Sequence, residues 1–174
     1  MLNDIITGKK ELFAAGVNTE LRAQKNLTRN VTLLNGNLVG NVRNETAGVS
    51  CRVYQNGVYG FSSTAELSDD AVRAVIKAAS ENAEFMSEHA GKGKGMLPRL
   101  DSGNSRTVYE LCDTEQKTYI GFAKEIDAYI STKYPDLLSR GVSVRADSME
   151  KLIAVSDGFD SHSVMPRCYI YVFL

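Results

Sequence analysis

The stretch Gly48-Val49-Ser50-Cys51-Arg52-Val53-Tyr54-Gln55-Asn56-Gly57-Val58-Tyr59-Gly60-Phe61-Ser62-Ser63-Thr64 decides the fold class. Val49, Cys51 and Val53 alternate with Ser50, Arg52 and Tyr54, the two-residue period of an antiparallel strand with one face on a core and one toward solvent. Asn56-Gly57 then tolerates the positive φ of a type I′ turn, whose twist matches the strands it joins. Tyr59 and Phe61, with Gly60 between them, carry the alternation onto the return strand. The reading is a hairpin of strands 48–55 and 58–64.

Upstream, a second pair, Asn35-Gly36, predicts another hairpin from strands near 18–34 and 37–46. Before it, Leu2, Ile5, Ile6, Leu12 and Phe13 share one helical face that ends at Gly16, which places a first helix near 3–15. Downstream, Ser68 can cap a helix whose first turn carries Asp69 and Asp70, with Leu67 and Val72 placed as a hydrophobic staple. Val72, Val75, Ile76, Ala79, Ala83 and Met86 form a single apolar stripe, so a helix over 68–88 must face a core. Residues 90–106 hold Gly, Pro, Ser, Asn, Lys and Arg with little periodicity and read as a surface connection. A third helix starts at Asp113, in an Asp-x-x-Gln capping box. It presents Tyr119, Phe122, Ala123, Ile126 and Ile130, and stops at Tyr134-Pro135. The two-residue period returns in 141–146, 150–156 and 165–174. The fold class is α+β, a twisted antiparallel sheet with helices packed on one face. At 174 residues the chain suits one domain, 1–174, or two small ones packed together.

Composition excludes several classes. Hydrophobic residues are 43% and charged residues 24%, as in ordinary globular chains and unlike disordered or collagen-like ones. Twenty Lys and Arg against 21 Asp and Glu give a net charge of -1, so charge draws the chain to neither nucleic acid nor an anionic membrane. No apolar run reaches the ~18 residues of a membrane span. Cys51, Cys112 and Cys168 cannot all pair, and no basic-then-apolar leader opens the chain. They read as reduced, buried thiols in a cytoplasmic protein. The apolar run Arg167-Cys168-Tyr169-Ile170-Tyr171-Val172-Phe173-Leu174 has no polar cap, which suggests a piece of a longer protein.

Side chains able to do chemistry are few. His89 follows the second helix, where a cation suits the dipole. Asp157, Asp160 and His162 gather two carboxylates and an imidazole, a set that could hold a divalent metal, although Ser, Asp and Gly also build the tight turn expected there. Cys168 with His162 would mimic a thiol-imidazole pair, but a cysteine in an apolar strand is usually inert. Gly91-Lys92-Gly93-Lys94-Gly95 follows a helix rather than a strand and meets no phosphate-loop spacing, so it reads as a linker. Glu20 with Arg22, and the row Asn26, Thr28, Asn30 and Thr32, read as a solvated sheet face.

The 48–64 hairpin, followed by Leu67-Ser68 and a helix opening Asp69-Asp70-Ala71-Val72, resembles the N-terminal hallmark of the TldD/PmbA family. That hallmark is a strand G-[VI]-S-x-R-V, a turn with Gly, then G-F or G-S, a small-residue run and an amphipathic helix. Ser156-Asp157-Gly158 resembles the family's Ser-x-Gly. The resemblance implies the N-terminal domain of a zinc metallopeptidase, a family also called modulators of DNA gyrase. Zinc in such proteins is held by H-E-x-x-x-H and a downstream Cys in a C-terminal domain. Here His89 and His162 lack the needed glutamate, so no catalytic residue carries over, no cofactor is expected in this chain, and it should be inactive alone. The implied partners are a peptide or unfolded protein segment and a homo- or heterodimeric family member. The implied role is to wall the substrate cavity and support dimerisation, by a face or edge including Arg52, Gly57, Gly60, Ser62, Ser63 and Thr64. The alternative reading is that those small residues serve only the hairpin twist and the turn into the helix. The alternative parent is a PmbA-like, catalytically silent partner subunit in which the domain is a binding and assembly module.

Overall fold

The structure, a computed structural model, describes residues 2–90, 95–99, 101–110 and 114–174. A helix α1 (Leu2–Ile6) and a 3-10 turn (Lys9–Leu12) precede β1 (Asn18–Leu34), β2 (Asn37–Gln55) and β3 (Val58–Thr64). Then come α2 (Asp69–His89), β4 (Gly103–Val108), α3 (Gln116–Lys133), β5 (Gly141–Val155) and β6 (Phe159–Phe173). The strands lie in one six-stranded sheet in the order β3-β2-β1-β5-β6-β4. The α+β class is as expected. The sheet is mixed: Gly103 N–H donates to Gly158 O and Tyr109 N–H to Val164 O, a pairing that advances along both strands together and so runs parallel.

Several boundaries differ from the sequence reading. The helix expected over 3–15 breaks at Gly8, whose φ of 75° is left-handed, into α1 and the 3-10 turn. Strands 37–46 and 48–55 are one strand, because Gly48 lets β2 run on: a Cβ there would lie 2.6 Å from the Thr64 carbonyl oxygen. Strands 141–146 and 150–156 likewise fuse into β5, and 165–174 is the second half of β6. No glycine or proline interrupts 147–149, and polar residues alone do not end an extended strand. The connection 90–106 contains the start of β4. The Asp113 of the capping box, Cys112 and residues 91–94 of the Gly-Lys run lie outside the described residues; α3 opens at Gln116 after Glu115.

The chain forms two compact units. The first comprises Met1–Lys25, Thr46–Val108 and Glu150–Ser163. Its core packs Leu21 and Ala23 of β1, Val49, Cys51 and Val53 of β2, and Leu152 and Ala154 of β5 against Val72, Val75, Ile76, Ala79 and Ala83 of α2. Met86, expected to complete that stripe, is 40% exposed in the last turn. Ser68 caps α2, its Oγ accepting from Ala71 N–H at 3.2 Å. The Lys9 ammonium donates to both Asp69 carboxylate oxygens, at 2.7 and 2.8 Å, and this hydrogen bond holds the Asp69 carboxyl below its ordinary pKa.

The second unit comprises Asn26–Glu45, Tyr109–Met149 and Val164–Leu174. Val31, Leu33, Val142 and Val144 meet Ala123 and Ile130 of α3, with Tyr119, Ile120, Ile126 and Leu137 partly buried around them. Phe122, expected inside, is exposed, while Asp127 is buried and bound by Arg140. The row read as solvated is partly buried here: Ser143 Oγ donates to Asn30 Oδ1 at 3.3 Å and Asn30 Nδ2 to Thr32 Oγ1 at 3.4 Å. No helix among the described residues is long and apolar enough to cross a membrane.

Candidate functional site

The hairpin register decides which side chains share a face. Val49 pairs with Thr64, Cys51 with Ser62 and Val53 with Gly60, while Arg52 pairs with Phe61 and Tyr54 with Tyr59. Since directly opposed residues point the same way, Gly60, Ser62 and Thr64 lie on the face that carries buried Val49, Cys51 and Val53, toward α2. Arg52, Tyr54, Tyr59, Phe61 and Ser63 lie on the opposite face.

Gly57 belongs to neither face. It completes the turn with φ of 92°, after Asn56 at 50°, the left-handed pair that a type I′ hairpin needs. Gly60 does admit another backbone, but that backbone is α2: a Cβ there would lie 2.1 Å from Ala79 O and 2.2 Å from Ala83 N. Gly60 is therefore a packing residue, already occupied from within the unit. Of the six residues singled out, the fold leaves Arg52 and Ser63 on the open face and turns Gly60, Ser62 and Thr64 to the helix side.

The open face is aromatic and polar. Tyr59 and Phe61 are 47% and 56% exposed. The Tyr54 and Tyr59 ring centroids are 4.9 Å apart at 57°, and the Arg52 guanidinium lies 5.2 Å from the Tyr59 centroid. Arg52 Nη2 also donates to Glu20 Oε2 of β1 at 2.8 Å. This pair is half in solvent, so it adds at most ~1 kcal/mol to stability; what it does is fix the guanidinium over the ring. Beside it, Arg22 donates to Gln24 Oε1. The outer edge of β3 is partly closed, because Asn82 of α2 donates its amide to Phe61 O at 2.9 Å. The face is thus more open to an extended ligand than the edge is.

At one end of this face is a cavity of about 450 Å³, lined by Lys10, Phe13 to Asn18, Tyr54 to Asn56, Gly95 to Leu97, Arg99, Ser156 and Asp157. Three turns and the segment after α2 converge on it. Tyr54 belongs to both cavity and open face, and its hydroxyl donates to Gly95 O at 2.8 Å. Ser156 Oγ accepts from Thr19 N–H at 3.0 Å, and Asn18 Nδ2 donates to Asp157 Oδ2 at 3.3 Å. Sequence reasoning missed this cavity. Its only local signals were the two turns, 56–57 and 157–158, and Arg99 within the stretch read as a connection.

Asp157, Asp160 and His162 are held apart by other partners. Asp157 faces Asn18, Asp160 Oδ2 accepts from Lys10 Nζ at 2.8 Å, and His162, on β6 rather than in the turn, meets Glu150 Oε1 at 3.1 Å. Among the described residues no three His, Cys, Asp or Glu side chains could share a metal ion. His89 is exposed, stacked on Phe85 at 4.2 Å, with Nδ1 against Phe85 O.

The two described thiols differ. Cys168, expected buried, is exposed on β6. Cys51 is fully buried, and that burial pushes its thiol from 9.0 up to about 12, with the Glu20 carboxylate adding to the rise. A thiol reagent at pH 8 is therefore expected to modify Cys168 at once and Cys51 only after denaturant is added. Between 9.0 and about 12 the unfolded chain loses the Cys51 proton while the folded chain keeps it, so stability should fall as pH rises through that window. Urea titrations at pH 8 and 10.5, with Cys51→Ala as the flatter control, check this.

Residues 19–83 match PmbA/TldA metallopeptidase domain 1. No curated protein matches the sequence. Among solved structures, TldE from Thermococcus kodakarensis superposes with a TM-score of 0.76 at 11% identity, over 98% of this chain and 38% of that one. Two proteins described as candidate modulators of DNA gyrase also match. The one from Thermotoga maritima gives 0.64 at 18% identity, over 98% of this chain and 41% of that one. The one from Bacteroides thetaiotaomicron gives 0.66 at 13%, over 98% and 39%. At these identities the likeness is one of fold. The chain spans about two fifths of the length of these structures.

Proposed function

We propose, from the premise that this chain is an N-terminal domain of the TldD/PmbA family, that it is the non-catalytic part of a cytoplasmic metallopeptidase acting on peptides. Its role is to wall the substrate cavity and to support pairing with a second family member. The observation that carries this reading is the open face of the first unit: Arg52, Tyr54, Tyr59 and Phe61 on one side of a sheet whose other side is filled by α2. Such a face can hold an extended peptide through aromatic and apolar contact with little sequence preference. Zinc is assigned to the parent protein. Among the described residues of this chain no three His, Cys, Asp or Glu side chains form a ligand set for it.

The test uses the purified chain, zinc and a fluorescence-quenched extended peptide. Binding without cleavage is expected. Joint replacement Tyr59→Ser with Phe61→Ser should weaken binding about tenfold or more, because exposed aromatic anchors carry much of such an affinity. Both positions are solvent-facing, so the fold should survive. Cleavage by this chain, or unchanged affinity in the double variant, would overturn the reading.

A further inference from the structure

The cavity beside Tyr54 has polar groups that are mostly satisfied from within. Lys10 Nζ is paired with Asp160 and also reaches Phe159 O at 3.4 Å. Asp157 takes the Asn18 amide, Ser156 takes Thr19 N–H, Tyr54 binds Gly95 O, and Asn56 Nδ2 donates to Ser87 Oγ at 2.9 Å. Arg99 differs: it lines the cavity, is exposed, and makes no ion pair among the described residues. Gln55 adds a further polar group, and Phe13, Val17 and Leu97 supply an apolar part of the wall. A volume of about 450 Å³ suits one or two amino-acid residues or a small ligand, not a folded partner. A guanidinium with no ion-pair partner among the described residues, beside the apolar patch of Phe13, Val17 and Leu97, favours a ligand end with a carboxylate and a modest side chain, since guanidinium matches carboxylate geometry in two parallel hydrogen bonds.

We infer that this cavity receives the carboxy-terminal end of a peptide lying across the open face, its terminal carboxylate on Arg99 and its last side chain against Phe13, Val17 and Leu97. The inference rests on the peptide-binding reading above. Tyr54 supplies the continuity, being a side chain shared by face and cavity. The cavity then sets register: it defines where the chain end stops and so how far from that end the rest of the peptide is presented.

The experiment is fluorescence anisotropy with the 174-residue chain and three N-terminally labelled octapeptides of Ala, Val and Thr. One has a free carboxylate, one a carboxamide, and one a carboxamide with an internal Glu. The free acid should bind about tenfold more tightly than either amide, the scale of a charge-assisted hydrogen bond. Arg99→Gln should bring the acid to the amide's affinity and leave the amides unchanged. Equal binding of acid and amide, or an unaltered preference in Arg99→Gln, would overturn the inference while leaving the open-face reading standing. A Glu amide that matches the acid would also overturn it, since the cavity would then read a side-chain carboxylate. Failure of all three peptides to bind would defeat both readings.

Discussion

Gly60→Ala is expected to destabilise the first unit by about 3 kcal/mol or more, a large share of the ~5–15 kcal/mol that holds a typical domain folded. The reason is where the added methyl must go. A Cβ at position 60 would sit 2.1 Å from the Ala79 carbonyl oxygen and 2.2 Å from the Ala83 amide nitrogen, both backbone atoms inside α2. A flexible side chain could swing aside; a helix cannot do so without lifting Val75, Ile76, Ala79 and Ala83 from the core they fill. Two controls separate this effect from ordinary glycine chemistry. Gly57→Ala carries the strain of φ at 92° and should cost about 1 kcal/mol. Gly121→Ala in α3 would meet no atom within 4 Å and should gain up to about 1 kcal/mol through helix propensity. Urea midpoints for the three variants check the ranking. A Gly60→Ala protein with a midpoint near that of the parent would show that α2 does not press on β3 this closely.

The second large effect lies in the other unit. Asp127 is buried within α3, and its carboxylate accepts from Arg140 Nε at 2.8 Å and from Nη2 at 3.2 Å. The same arginine is tied through its backbone to the β1-β2 turn. Asn35 N–H donates to Arg140 O, and Arg140 N–H donates to Asn35 Oδ1, each at 2.8 Å. Asp127→Ala leaves a guanidinium facing the interior with its partner gone, and should cost about 2–4 kcal/mol, below a fully buried pair because Arg140 keeps some water. Asp127→Asn, which retains one acceptor, should cost less. Replacing both partners together by Leu and Met should cost less than Asp127→Ala, since no charge is then stranded. Thermal and urea denaturation of the three proteins decide it. A loss under 0.5 kcal/mol in Asp127→Ala would mean that solvent replaces the aspartate without penalty.

How much of this was legible in the sequence varied with how local its cause is. Both Asn-Gly turns could be read because their signal is in the turning residues themselves, and the left-handed φ values at Asn35, Gly36, Asn56 and Gly57 are what that pair supplies. α2 could be read from Ser68 and the stripe after it, with only Met86 misplaced. β4 could not: Gly103 to Val108 carry little strand propensity, and they are extended because β6 offers them a backbone to pair with. In α3, Phe122 was misplaced and Asp127 went unread for a related reason. An aspartate inside an apolar helical face looks like an outlier until Arg140, thirteen residues on, is brought against it. At the candidate site, Arg52 and the aromatic alternation of Tyr59 and Phe61 were visible in the two-residue period. The sequence could not tell that the glycine between those aromatics already holds α2, nor that Arg99 reaches the same end of the sheet as Tyr54, since both are consequences of packing between distant segments.

The most direct test of the account is an amide NMR titration of the labelled chain with an unlabelled extended peptide bearing a free carboxylate. The account predicts that shifts concentrate on Arg52, Tyr54, Tyr59, Phe61 and Ser63 and run on toward Arg99, while Val31, Leu33, Val142 and Val144 of the second unit stay fixed. Shifts confined to β4 or to the exposed half of β6, with the 52–63 amides unmoved, would contradict it.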